Sequence, residues 1–166
     1  MVKAIVVMGV SGSGKTTVAR LLAERLGWAF AEADEFHSPA NVAKMRAGVA
    51  LNDDDRGPWL AAIADRIDSA REANQPIVVT CSALKRRYRE ILVGSRPDVA
   101  LVYLKGDYDT IEKRMATRPH HYMPVSLLKS QFEALEEPGA DEHAIVLDIR
   151  RSPEEIAEAA AALTSA

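Results

Sequence analysis

Gly9-Val10-Ser11-Gly12-Ser13-Gly14-Lys15-Thr16 fits the pattern G-x-x-x-x-G-K-[ST] at every position, and the residues around it decide what it means. Ahead of it runs Ala4-Ile5-Val6-Val7-Met8, a continuous apolar run of the kind a strand shows when both its faces are buried. Behind it, Val18, Leu21, Leu22 and Leu26 recur at the spacing of one helix face, which Gly27 can end at C′. Strand, glycine-rich loop and helix in that order predict a phosphate cradle. The glycines let backbone N–H groups approach phosphate oxygens where a Cβ would obstruct. The helix adds its unpaired N–H groups and the positive end of its dipole. Gly9, Ser11, Gly12, Ser13, Gly14, Lys15, Thr16 and Thr17 are the expected nucleotide contacts. Lys15 is expected on the β- and γ-phosphates, and the Thr16 hydroxyl on Mg²⁺. The stretch predicts a site for a nucleoside triphosphate.

Composition narrows the partners. At 166 residues the chain suits one domain with a real core, and 48% hydrophobic with 27% charged residues is an ordinary globular balance. A net charge of −3 offers no basic field, so nucleic acid is not an expected partner. No apolar run approaches the roughly 18 residues of a membrane span, and Met1–Met8 lacks a cationic lead and a cleavage site. One cysteine, Cys81, forbids an internal disulfide and reads as a buried strand-end thiol. The expectation is a soluble cytoplasmic protein without a membrane partner.

Four further apolar runs follow, at Trp28–Asp34, Pro76–Cys81, Val99–Leu104 and Ala144–Ile149, separated by helical patterns. Those patterns cover Pro39–Gly48, a stretch from Pro58 onward capped by Asp55 or a neighbour, Ser82–Val93, a helix from Asp107 or Asp109 through Arg118, and Pro124–Glu136. Ser152-Pro153-Glu154-Glu155 is a capping box that opens the last helix. Uniformly apolar strands alternating with helices predict an α/β fold of three layers, a five-stranded parallel sheet with the first strand central. Strands are expected to begin near residues 3, 29, 77, 99 and 144. Two connections, at about residues 35–75 and 115–140, exceed a simple crossover, and such insertions above the carboxyl ends of strands would hold a substrate region and a lid. The organisation is that of a small-molecule kinase in one domain, residues 1–166.

Phosphoryl transfer needs an acceptor oxygen held in line with the γ-phosphate and a group to take its proton. Asp34, after the second strand, suits the acceptor and Glu32 the metal; an exposed strand-end acid is the plainer alternative. No acid follows Val78-Val79-Thr80, so metal support must come from Glu32, Asp34 or water. The acids Asp53-Asp54-Asp55 read first as helix capping, and the cations of Lys85-Arg86-Arg87 read first as a solvated face. Arg114 and Arg118 lie four apart before the breaker Pro119 and suit a lid that brings charge to the phosphates, or else a surface pair. His120-His121 lacks the spacing of a metal site. Arg114 and the segment Asp148–Ser152 are the expected surroundings of the base.

Five stretches together resemble the gluconokinase family: the loop at Gly9–Lys15, then Leu51-Asn52-Asp53-Asp54-Asp55-Arg56-Gly57-Pro58-Trp59-Leu60, Cys81-Ser82-Ala83-Leu84-Lys85, Tyr103-Leu104-Lys105-Gly106 and Leu128-Lys129-Ser130-Gln131-Phe132. They fall in the family's order over nearly the whole chain. The resemblance implies a P-loop kinase fold akin to shikimate kinase and nucleoside monophosphate kinases. It also implies ATP and Mg²⁺, D-gluconate phosphorylated at its 6-hydroxyl, and suggests a homodimer. Glu32-Ala33-Asp34 stands where the family has Asp-Gly-Asp, so the acceptor-orienting role passes to Asp34, with Lys15 and Arg118 as the other expected catalytic groups. Ser38 separates His37 from Pro39, where the family has the pair adjacent. A linear polyol with one carboxylate calls for a cation and several hydrogen-bonding groups. Lys85, Arg56 and His37, with Lys44 and Ser82 behind them, are the expected substrate-binding residues. The alternatives are a kinase for another small acid or for a nucleotide, or a nucleotide-binding module without turnover; no N-K-x-D stretch for reading a guanine base is present.

Overall fold

The computed structural model describes residues 1–116 and 125–165, with the side chains of 125–127 left aside. The described residues form five strands, β1 Ala4–Met8, β2 Ala29–Glu32, β3 Ile77–Thr80, β4 Val99–Lys105 and β5 Ile145–Asp148. Seven helices join them: α1 Lys15–Leu26, α2 Pro39–Arg46, α3 Asp53–Glu72, α4 Arg86–Leu92, α5 Tyr108–Ala116, α6 Val125–Ala134 and α7 Pro153–Ser165. The sheet order is β2-β3-β1-β4-β5, every pair parallel, with β1 in the centre as its apolar run requires. The side chains of β1 alternate between two cores. Ala4, Val6 and Met8 join Leu60, Ile63 and Ile67 of α3 and Leu92 of α4. Ile5 and Val7 join Val18 and Leu22 of α1, Ile111 of α5 and Ile156 of α7. Helices thus cover both faces, and the carboxyl ends of the strands are left to build the site.

Local chemistry sets the boundaries, in places against expectation. Gly27 ends α1 in the left-handed region at φ 71°, with the Trp28 amide reaching back to Ala23 O at 2.9 Å. α3 starts earlier than the sequence suggested, because Asn52 rather than Asp55 is the cap: the Asp55 amide donates to Asn52 Oδ1 at 2.8 Å and the Asn52 amide to Asp55 Oδ2 at 3.0 Å. Pro58 consequently sits one turn inside the helix. Ser38, which parts His37 from Pro39, caps α2 by accepting from the Asn41 amide at 3.2 Å. β2 ends at Glu32, and Ala33–Phe36 forms a 3-10 turn, so Asp34 lies on a turn and not on the strand. Ser82–Lys85 is a loop with Ala83 in the left-handed region at φ 46°, and α4 begins only at Arg86. Asp107 caps α5 through the Thr110 amide at 2.7 Å, and the Ser152–Glu155 box opens α7. No helix among the described residues is long and apolar enough to cross a membrane.

Candidate active site

A cavity of about 480 Å³ opens at the carboxyl ends of β1, β2 and β3. Ser11, Gly12, Gly14, Lys15, Thr16 and Thr17 of the loop and α1 line it together with Asp34, His37, Arg56 and Trp59. Ser82, Ser130 and Gln131 complete the rim. The volume falls within the ~300–1,000 Å³ typical of small-molecule sites.

The loop folds as its glycines dictate. Gly12 has φ 80°, and a Cβ there would meet Met115 Cγ of α5 at 2.9 Å, so both its backbone angle and its packing require glycine. Gly9 and Ser13, two of the expected nucleotide contacts, are not among the residues that line the cavity. The Gly9 amide donates to Ser82 O at 3.3 Å and the Ser13 amide to Val10 O at 3.2 Å. The Ser13 hydroxyl is buried without a hydrogen-bond partner among the described residues. Both therefore shape the loop from inside.

Lys15 is enclosed, and its ammonium donates to Gly9 O at 2.9 Å and Val10 O at 3.1 Å. Burial lowers its proton affinity, an effect opposed first by the carboxylate of Asp34 and then by Cys81 and Glu32. Asp34 is therefore close enough to Lys15 to support its charge. The Thr16 hydroxyl donates to Glu32 Oε1, which brings the two expected metal ligands together at the first turn of α1. A hydroxyl and a carboxylate are hard oxygen donors of the kind Mg²⁺ takes with water completing its shell. Among the described residues no cluster of three or more acids, histidines or cysteines forms a denser metal site.

The turn carrying Asp34 is tied down by Trp59, whose indole Nε1 donates to Ala33 O at 2.7 Å. The same ring stacks on His37, with centroids 4.1 Å apart and planes at 12°. Burial lowers the His37 pKa, with Asp34 opposing and Arg56 adding to the shift, so at neutral pH the imidazole is uncharged and both accepts and donates hydrogen bonds. Asn41 braces this corner: its Nδ2 lies 3.4 Å from His37 Nδ1 and donates to Asp55 O at 2.9 Å. Arg56 is held by Tyr88, donating to its hydroxyl at 3.1 Å, while that hydroxyl donates to Asp53 Oδ1 at 2.5 Å. Arg87 also pairs with Asp53, whose carboxyl is held down at about 2 chiefly by these two hydrogen bonds.

Two expected substrate cations lie elsewhere. Lys44 grips both oxygens of Asp55 at 3.0 Å, which fixes α2 to the start of α3. Lys85 is the residue before α4 and is not part of the cavity wall; Arg86 beside it pairs with Asp141. Asp55, an acid that reads in sequence first as a cap, draws Lys44 away from the cavity. Ser82 does face the cavity. Arg114 donates to Ile149 O, which places it against the segment after β5. Arg118 and the turn Pro119-His120-His121 lie outside the described residues. The thiol of Cys81 is buried at the end of β3 and pushed up to about 12 by burial, which makes it inert at neutral pH. Sequence reasoning missed Trp59, Arg20 and Gln131 as wall residues. Arg20 was findable, since it follows Thr16 by four positions on one helix face.

A family model described as "AAA domain" matches residues 5–138. The chain is 46% identical over 145 residues to the thermoresistant gluconokinase of Escherichia coli (strain K12), covering 87% of this chain and 83% of that one. A crystal structure of a gluconokinase from Sinorhizobium meliloti 1021 superposes with a TM-score of 0.88 at 45% identity, covering 98% of this chain and 91% of the other. Shikimate kinase from Aquifex aeolicus vf5 superposes at TM-score 0.64 with 19% identity over 98% of this chain and 96% of its own, a likeness of fold alone.

Proposed function

The chain belongs to the gluconokinase family, and from that premise we propose that it transfers the γ-phosphoryl group of ATP directly to D-gluconate, giving 6-phospho-D-gluconate and ADP. One observation carries the assignment to this site: a phosphate cradle and a set of groups suited to a polyol carboxylate line one and the same cavity. Phosphoryl transfer asks the protein mainly to position and to neutralise. The loop amides and Lys15 bind the triphosphate. Asp34 orients the acceptor hydroxyl and receives its proton, while its charge opposes the lowering of the Lys15 pKa by burial. Arg56 takes the substrate carboxylate, held in place through Tyr88 and Asp53. Neutral His37 and Ser82 serve hydroxyls of the chain. Thr16 and Glu32 would hold Mg²⁺, which when bound neutralises charge on the phosphates.

The reading extends to one kinase domain over residues 1–166, with 35–75 as substrate region and 115–140 as lid. Arg118 brings charge to the transferring phosphoryl group and Arg114 flanks the base. The enzyme is a cytoplasmic homodimer. A steady-state assay with ATP, with and without Mg²⁺, against a panel of sugar acids, shikimate and nucleoside monophosphates tests the reading. Turnover is expected with gluconate and a divalent ion. Equal turnover without gluconate, or preference for shikimate or a nucleotide, would overturn it.

A further inference from the structure

One donor of the phosphate loop is committed to a side chain from far along the chain. The Ser11 amide donates to Gln131 Oε1 of α6 at 2.6 Å, across 120 positions of sequence. Both residues line the cavity beside Lys15 and Thr16. Backbone N–H groups of such a loop are the donors that phosphate oxygens take, so the carboxamide oxygen of Gln131 stands where a phosphate oxygen would. The side chain is held there by packing on its own helix: Leu128 is fully buried, and Phe132 meets Tyr108 edge-on at 5.5 Å.

Resting on the reading of this cavity as the ATP site, we infer that Gln131 recognises the transferable phosphate and couples α6 to its presence. A phosphate oxygen is the stronger partner for the Ser11 amide, since hydrogen bonds to an ionised acceptor are roughly twice as strong as neutral ones. It displaces the carboxamide oxygen. Glutamine carries an acceptor and two donors on one head, and its last torsion is broad and about two-fold. A turn about that torsion presents the amide N–H groups to the phosphate that has taken Ser11. With the third phosphate present the helix is thereby held to the loop through that phosphate, in place of the direct Ser11–Gln131 bond that holds it otherwise. Glutamate at this position would keep the grip on Ser11, lack the donor, and repel the phosphate.

The test measures binding as well as turnover. Affinities for ADP and for the non-hydrolysable triphosphate AMPPNP are measured by calorimetry on the wild type, Gln131→Glu and Gln131→Ala, with melting temperature recorded for each. Gln131→Glu is expected to weaken AMPPNP about 10–100-fold more than ADP, the scale of losing one charge-assisted contact and adding a repulsion. Gln131→Ala removes both the competing oxygen and the new donor, so AMPPNP affinity should stay within about threefold while kcat falls roughly 10-fold or more. A residue that merely braces α6 would lower the melting temperature and leave the AMPPNP-to-ADP ratio at its wild-type value, which would overturn the inference, as would an alanine variant with full kcat. The binding arm needs no gluconate. A wild type inert on gluconate would therefore strike the proposed reaction and leave this inference to stand or fall on the ratio.

Discussion

Replacing Trp59 with phenylalanine tests how the acceptor side of the cavity is held. The substitution keeps an aromatic ring beside His37 but removes the N–H that satisfies Ala33 O at 2.7 Å in a buried setting. Leaving a buried carbonyl unpaired costs about 1–3 kcal/mol. A smaller ring also weakens the 4.1 Å stack on His37, an arrangement worth roughly 0.5–1.5 kcal/mol. Together these give a loss of about 2–4 kcal/mol, and at roughly 2–4 °C per kcal/mol for a chain of this size the melting temperature should fall by about 5–15 °C. Because Ala33 precedes Asp34 on one 3-10 turn, the released turn should also misplace the carboxylate. We expect kcat to fall about 10-fold at a temperature where the variant is fully folded, equivalent to about 1.4 kcal/mol of lost positioning. Calorimetric unfolding and steady-state kinetics on the same preparation read both quantities. A variant that melts lower but keeps full kcat would show that Trp59 supports the fold without placing Asp34.

Asp34→Asn keeps the shape of the side chain and loses its charge; kcat should drop about 10²–10⁴-fold with ATP binding largely retained, and the alkaline limit of activity should move to lower pH because Lys15 loses its main electrostatic support. Full activity in that variant would remove Asp34 from the mechanism. Tyr88→Phe cuts the link from Asp53 to Arg56 and should raise the KM for gluconate roughly fivefold, the effect of about 1 kcal/mol, while kcat stays within about twofold. An unchanged KM would mean that Arg56 does not need that brace or does not bind the carboxylate. Asp68 accepts from Arg96 at 2.7 and 2.8 Å and from Arg71 at 2.7 Å, bonds that hold its carboxyl well below the usual carboxylate range, Arg96 contributing most. Stability from this depressed pKa is present above the unfolded value of about 3.9 and is lost as pH falls below it. Asp68→Asn should therefore melt a few degrees lower at pH 7 and converge on the wild type in acid; a gap that is the same at both pH values would contradict this.

Much of the fold was legible because the strands carry their own signal. Runs such as Ala4–Met8 and Ile77–Thr80 are apolar on both faces, which only a covered parallel sheet explains, and the loop after β1 fixes which strand is central. The phosphate side of the site was legible for the same reason, since backbone donors follow from glycine spacing. The acceptor side was not. Lys44 and Lys85 read as substrate cations because a sequence shows charges without their partners, and Asp55, fixed by the cap at Asn52, takes Lys44 away from the cavity. Trp59 read as one more apolar residue of α3, although its N–H anchors the Asp34 turn. Gln131 reads in sequence as one residue of a family signature with no role of its own, because its contact with Ser11 joins segments 120 residues apart.

Phosphorus NMR of the protein with ATP, Mg²⁺ and D-gluconate tests the central claim most directly, because it follows the phosphoryl group itself. The account predicts a new phosphomonoester resonance growing in step with ADP, assignable to the terminal hydroxyl of gluconate by its coupling, and abolished in Lys15→Met. ATP consumed to inorganic phosphate with no phosphomonoester, or a phosphomonoester that forms with shikimate or a nucleotide and not with gluconate, would contradict it.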